Sequence, residues 1–241
     1  LRFNSSISED SSTDVSLKDY VSRMREGQKD IFYVTGGSRD AILHNPNLEY
    51  FRREGLEVLF LTDQIDDFMV VDLRDYDAKT LKNISQGDIE GINDSDMSAT
   101  DSSLSKEEKS DILAFFKKQL KDRVSEVSDS KRLVDNPCSL VTPKDGMTAQ
   151  MEKMMKMMDQ KFQGEKRNLE VNMGHPIIQN LSEILQKNKK HPFLEDTVEQ
   201  LYENSLLVEG LLENPVQILS RYQMFMESAS AYELEKLNRV K

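Results

Sequence analysis

The sequence predicts an α/β unit over residues 16–86 followed by an α+β unit over residues 106–241, and three observations carry that prediction. Short, nearly continuous apolar runs alternate with helix-start signals in the first unit, the pattern of a parallel sheet covered on both faces. Between Gly87 and Ser105 the composition turns to Asp, Ser, Gly, Asn and Thr, too apolar-poor to offset the entropy of ordering, so 87–105 reads as an acidic linker or mobile loop. Beyond it, short strand-like runs give way to long stretches of helical period. Residues 1–15 read as a lead-in.

The elements of the first unit follow in order. Ser16 with Asp19 makes a capping-box-like start to a helix over Leu17–Met24. Ile31–Val34, bounded by Gly27 and Gly36-Gly37, reads as a buried strand, and a helix starts from Ser38. A third helix near Pro46–Glu54 ends at Gly55, a residue suited to a left-handed C-terminal cap. Val58–Leu61 is a second strand, Asp63 is placed to cap a helix through Val71, and Thr80–Ile84 adds a strand.

In the second unit, Lys106–Arg123 is predicted helical, with Ile112, Leu113, Phe115, Phe116 and Leu120 as its apolar side. Val124–Val127 and Cys138–Val141 read as strands around a turn at Asn136-Pro137, and Leu169–Met173 alternates as a half-buried strand does. Pro176, Pro192 and Pro215 mark three helix starts. Leu194, Val198, Leu201, Ser205, Val208 and Leu212 recur at spacings of four and three, and Leu219, Tyr222, Met226 and Ala229 continue such a seam on the last helix. Leu234 and Leu237 lie beyond. A short turn at Glu213-Asn214-Pro215 makes these helices antiparallel neighbours, with more apolar surface than the pair can hide from each other. Two readings stand: pairing with the same hairpin of a second copy as a four-helix bundle, or packing on the strands of the same chain.

Six of the twelve methionines fall between Gly146 and Gln160. Met147, Met151, Met154, Met155 and Met158 share one helical stripe, while Glu152, Lys153, Lys156 and Lys161 are expected to keep the other faces wet. Methionine is flexible and polarizable, so such a stripe either fills irregular gaps in a core or grips varied apolar surfaces.

Composition narrows the function classes. The net charge is −11, with 31% charged residues. Such a chain repels phosphate backbones, so nucleic-acid binding is not expected. The Lys187–Lys190 cluster reads as a solvated helix end. Cys138 is the lone cysteine and reads as a small buried hydrophobe. With no apolar run of the ~20 residues needed to span a bilayer and no leader pattern, a reducing, cytoplasmic setting is expected. Leu1-Arg2-Phe3 reads like the interior of a longer protein, so the chain is expected to be an excised piece.

Chemistry is sparse. Thr35-Gly36-Gly37-Ser38 lies between a strand and a helix start, but it lacks the phosphate-loop and dinucleotide spacings, and a tight turn with a Ser38 cap explains it. Asp63, Asp66 and Asp67 read as a cap and an acidic first turn. His175 and His191 stand at helix starts without zinc-ligand spacing. No nucleophile, base and oxyanion arrangement is found, so no catalytic, cofactor or metal residue is assigned.

At this point specific residues become recognisable. Ser16–Met24 with Gln28 and Ile31–Gly36, then Glu57–Leu59 with Asp63–Asp67, resemble the small middle subdomain of the heat-shock protein 90 kDa chaperone family. Ser130–Cys138 resembles that family's strand-turn segment, and Thr148–Lys156 its exposed amphipathic helix. Leu169–Asn172, His175–Ile178 and Leu201–Leu207 complete a collinear set covering nearly the whole chain apart from the 87–105 linker.

The resemblance implies the C-terminal portion of a bacterial, high-temperature protein G type member: an end of the larger middle subdomain over 1–15, the small middle subdomain over 16–86, and a dimerisation domain over 106–241 whose hairpins form an intermolecular four-helix bundle. It implies an ATP-driven homodimeric chaperone, acting in protein folding and stress response, that binds unfolded or partly folded clients. ATP and magnesium belong to a domain outside this chain, so the piece is expected to be no enzyme by itself. Met147, Met151, Met154, Met155 and Met158 become the client-facing stripe. Leu206, Leu207, Leu211, Leu212, Leu219, Tyr222 and Met226 become the dimer interface. The ending Leu237-Asn238-Arg239-Val240-Lys241 departs from the eukaryotic tail that recruits tetratricopeptide co-chaperones, and Met147 stands where eukaryotic members carry a tryptophan. Rival readings are a dimeric scaffold without client contact and a small nucleotide-binding α/β enzyme domain.

Overall fold

The computed structural model describes residues 2–8, 14–87, 102–144, 146–159 and 161–239. Its first unit is β1 (Arg2–Ser5), β2 (Val15–Ser16), α1 (Leu17–Arg23), β3 (Asp30–Thr35), α2 (Arg39–Leu43), α3 (Glu49–Arg53), β4 (Leu59–Leu61), α4 (Asp66–Leu73), β5 (Asp75–Tyr76) and β6 (Lys79–Asn83). The sheet order is β2-β1-β4-β3-β6-β5, with β3 parallel to both β4 and β6. Side chains alternate across a strand, so β3 feeds two cores. Ile31 and Tyr33 join Leu59, Leu61, Tyr20 and Val70 on one face, while Phe32 and Val34 join Phe60, Ile42, Phe51 and Ile84 on the other. Burial on both faces is why these strands read as unbroken apolar runs.

Several local signals hold. Ser16 and Asp19 cap α1 reciprocally, and the Ser38 hydroxyl accepts from the Ala41 amide. Gly55 takes φ +61 beyond α3, as its position required. Other expectations shift. The Pro46–Glu54 helix is a 3-10 turn over Pro46–Leu48 followed by α3. Asp63 does not cap α4: its amide instead donates to the Asp66 carboxylate, and Ile65 stands at the cap position without a side-chain bond. The β5–β6 hairpin was not anticipated, because Asp77 and Ala78 hold its turn at φ 51 and 57 without the glycine that announces such turns. Residues 2–5 are part of this sheet, since β1 pairs with β4.

The second unit holds α5 (Lys106–Leu120), β7 (Val124–Asp129), β8 (Cys138–Val141), α6 (Ala149–Met158), β9 (Arg167–Val171), α7 (Pro176–Lys187), α8 (Pro192–Glu209) and α9 (Leu219–Arg239). Its sheet runs β7-β9-β8, with β9 parallel to β7 and antiparallel to β8. The strand expected at 169–173 sits two residues earlier. Asn172 turns the chain instead, its side chain donating to the carbonyls of Val134 and Asn136. Ile112, Phe116, Leu169, Val171, Leu181, Leu194 and Val198 lie at the centre of this core. Of the expected 87–105 linker, residues 88–101 lie outside the described residues, as do Val240 and Lys241 of the expected ending.

The two units are joined by a polar clamp. Glu49 at the start of α3 accepts from the amides of Val134 (2.6 Å) and Asp135 (2.9 Å). In return Arg132, buried and paired with Glu170 at 3.0 Å, donates to the carbonyls of Ile84, Gln86 and Gly87 at 2.9–3.1 Å. Charge-assisted bonds to backbone groups fix both distance and direction, so β8 and β9 carry α6 to a set place beside α4.

Candidate functional site: an exposed methionine helix and an uncovered terminal helix

Helix α6 begins where the Thr148 hydroxyl accepts from the Met151 amide and ends where Asp159 turns extended. The expectation that Glu152 keeps a wet face is overturned. Glu152 is 5% exposed, and its carboxylate accepts from Arg167 Nη2 at 3.0 Å while pairing with Lys156 at 3.4 Å. Arg167, on β9, is buried as well. The loop before β9 crosses so closely that a Cβ on Gly164 would collide with the Glu152 carboxylate. The helix is therefore latched to the sheet by its acid rather than by its thioethers. Lys153 is half-buried, its amine reaching towards Gly210 and the Glu209 carboxylate at the end of α8.

The predicted stripe divides accordingly. Met147, Met151 and Met154 are half-buried, whereas Met155 and Met158 are exposed. Met157, which lies off the predicted stripe, is 83% exposed. Helical period could not find it, because period ranks a face without saying which side is anchored. Met151, Met154 and Met157 line a cavity of about 230 Å³ shared with Asp67 and Phe68 of α4, Gln150 and Gly37. Phe68 of α4 and Ile65, at its cap position, are themselves exposed. Apolar surface thus continues from one unit to the other across this groove.

The terminal helices divide in a similar way. Leu194, Val198, Leu201 and Ser205 of the seam are buried in their own unit, which answers the intramolecular reading for that half of α8. Leu206, Leu211 and Leu212 are half-buried around a second cavity of about 510 Å³ with Tyr202 and Leu140. Leu207, Leu219, Tyr222 and Met226 are exposed. Helix α9 has no buried residue along its 21 positions. It meets α8 through the Arg221–Glu203 pair and the Tyr222–Asn204 bond, and through Phe225 edge-on to Phe193. Leu219, Met226 and Leu237 recur on the opposite side, uncovered, with Tyr222 at the edge between the two sides.

Reactive chemistry does not gather at these surfaces. Burial pushes the Cys138 thiol up to about 11, as a structural cysteine requires. The Gly36 amide of the glycine pair donates to the Leu61 carbonyl. His175 and His191 accept from the amides of Ile177 and Phe193 as helix caps. Among the described residues no group of three or more His, Cys, Asp or Glu is placed to hold a metal, and no helix is long and apolar enough to cross a membrane.

Two clamped units thus leave apolar helix faces on α4, α6 and α9 uncovered. The chain belongs to the Hsp90 family, whose model, described as Hsp90 protein, matches residues 1–240. Relatives named chaperone protein HtpG include that of Chlorobium phaeobacteroides, 39% identical over 216 residues that cover 90% of this chain and 34% of the relative. That of Geobacter sulfurreducens is 41% identical over 83% of this chain and 31% of its own length. That of Oleidesulfovibrio alaskensis is 35% identical over 98% and 38% respectively. The chain thus spans about a third of the length of these relatives.

Proposed function

We propose that this chain is the dimerising, client-holding C-terminal portion of a bacterial Hsp90-type chaperone, acting in protein folding and stress response. The observation that carries the client-holding role is the inversion of α6, which buries its acid and leaves Met157 and Met158 to solvent. A helix placed only to fill a core does the reverse. Flexible thioethers beside the exposed Phe68 and Ile65 suit a surface that must take many apolar segments without a fixed shape. Dimerisation rests on α9, whose uncovered stripe suits the same stripe on a second copy. Permanent pairing at this end holds the remaining domains of two chains at high effective concentration, so their ATP-driven closure becomes an intramolecular event. ATP and magnesium act in a domain beyond these residues, and this portion hydrolyses nothing by itself.

The test is a double substitution, Met157→Glu with Met158→Glu, in the chain and in the full-length protein. Exposed positions change stability by about 0.5 kcal/mol or less, so the melting temperature is expected to hold while suppression of the aggregation of an unfolded client is lost. Unchanged suppression would remove the client surface and leave a dimeric scaffold.

A further inference from the structure

Among the described residues, no cation pairs with the Asp67 carboxylate. It is 2% exposed, and neither of its oxygens makes a hydrogen bond of normal geometry. The Thr35 and Thr148 hydroxyls stand near enough to favour its ionised form, yet burial outweighs them and raises its pKa. An isolated buried charge is costly unless something pairs with it. Lys153 also lines the cavity, but its amine is turned to Glu209, and no arginine is among the described lining residues. Asp66, next in the chain, is occupied with the Asp63 amide.

Asp67 lies in the wall of the cavity bounded by Phe68, Met151, Met154 and Met157, with its carboxylate just behind that wall. At about 230 Å³ the space falls below the ~300–1,000 Å³ of ordinary ligand pockets and suits one side chain. We propose that the cavity between α4 and α6 selects a lysine or arginine side chain from an unfolded client segment, with Asp67 as its counter-ion and the methionines along its alkyl stem. The inference rests on the client-holding reading and adds a chemical preference to it. A long basic side chain carries both halves of what the site offers, an apolar stem and a cationic head. Gln150 supports the assignment: its side-chain nitrogen is buried with no acceptor, and the carbonyl of a bound segment would supply one. Both Asp67 oxygens are shut from solvent at rest, so the flexible side chains lining the cavity change rotamer as the cation enters. A net charge of −11 favours the approach of basic segments over acidic ones.

The experiment titrates the chain against two fluorescent extended peptides, identical and apolar except for a central lysine in one and norleucine in the other. Anisotropy is expected to give about tenfold tighter binding of the lysine peptide, the ratio that one charge-assisted bond supplies. In Asp67→Asn that ratio collapses towards one. Equal binding of both peptides by the unaltered chain overturns the cation preference and leaves the client surface standing. A preference that survives Asp67→Asn also overturns it, and binding of neither peptide overturns both readings. The comparison within the unaltered chain needs no variant, so it stands even if Asp67→Asn misfolds.

Discussion

Asp67 shows how a single side chain trades stability against use. Burial raises its folded pKa above the ordinary aspartate value of 3.8. A raised carboxyl pKa means the folded state holds the proton more tightly than the unfolded chain does. Stability therefore falls as pH rises from 3.8 through the higher folded value, and above that value the whole penalty is present. Asp67→Asn removes the titrating group. It is expected to raise the denaturant midpoint at neutral pH, with the gain over the unaltered chain shrinking towards about pH 4. An equal gain at both pH values would show that ionisation of Asp67 is not the cause. The acidic sequence around Asp67 was legible as a helix start, but its burial was not. Which acid of Asp63, Asp66 and Asp67 turns inward depends on α6 closing over α4, a contact between segments some eighty residues apart.

At the scale of single elements, α6 is held by the Glu152–Arg167 pair, with both side chains less than a tenth exposed. Removing one partner of such a pair leaves the other charge buried alone, which costs about 3–5 kcal/mol. Glu152→Ala is thus expected to lower the melting temperature sharply, whereas Met158→Glu on the same helix does not. Comparable losses from both would place the methionines in the core after all. Elements whose signals are local are readable from sequence: the Ser16–Asp19 box, the Ser38 cap, Gly55, and the prolines that open α7 and α8. The parallel strands were readable because burial on both faces leaves continuous apolar runs. Where tertiary contact decides, the reading shifted. The hairpin turn at Asp77-Ala78 lacks a glycine, β9 is ended by the side-chain bonds of Asn172, and Glu152 is drawn inward by an arginine fifteen residues away. Periodicity also could not divide the seam on α8 between its own core and a partner, since heptad spacing serves both equally.

For the whole molecule, the clamp between Glu49, Arg132 and the backbone they bind makes two units act as one support. From it α9 extends about 32 Å, taking ~1.5 Å per residue, with Leu219, Met226 and Leu237 open to solvent. A long stripe of this kind without a cover is an aggregation hazard unless a matching surface meets it. In the proposed dimer a second copy supplies that surface. Sedimentation velocity of the chain across low to high micromolar concentration measures this most directly, with Leu219→Glu plus Met226→Glu run alongside. The expected result is a particle of twice the 27.8 kDa chain mass that the double substitution reduces to monomer. A monomer at high micromolar concentration, or a dimer indifferent to those substitutions, would contradict it.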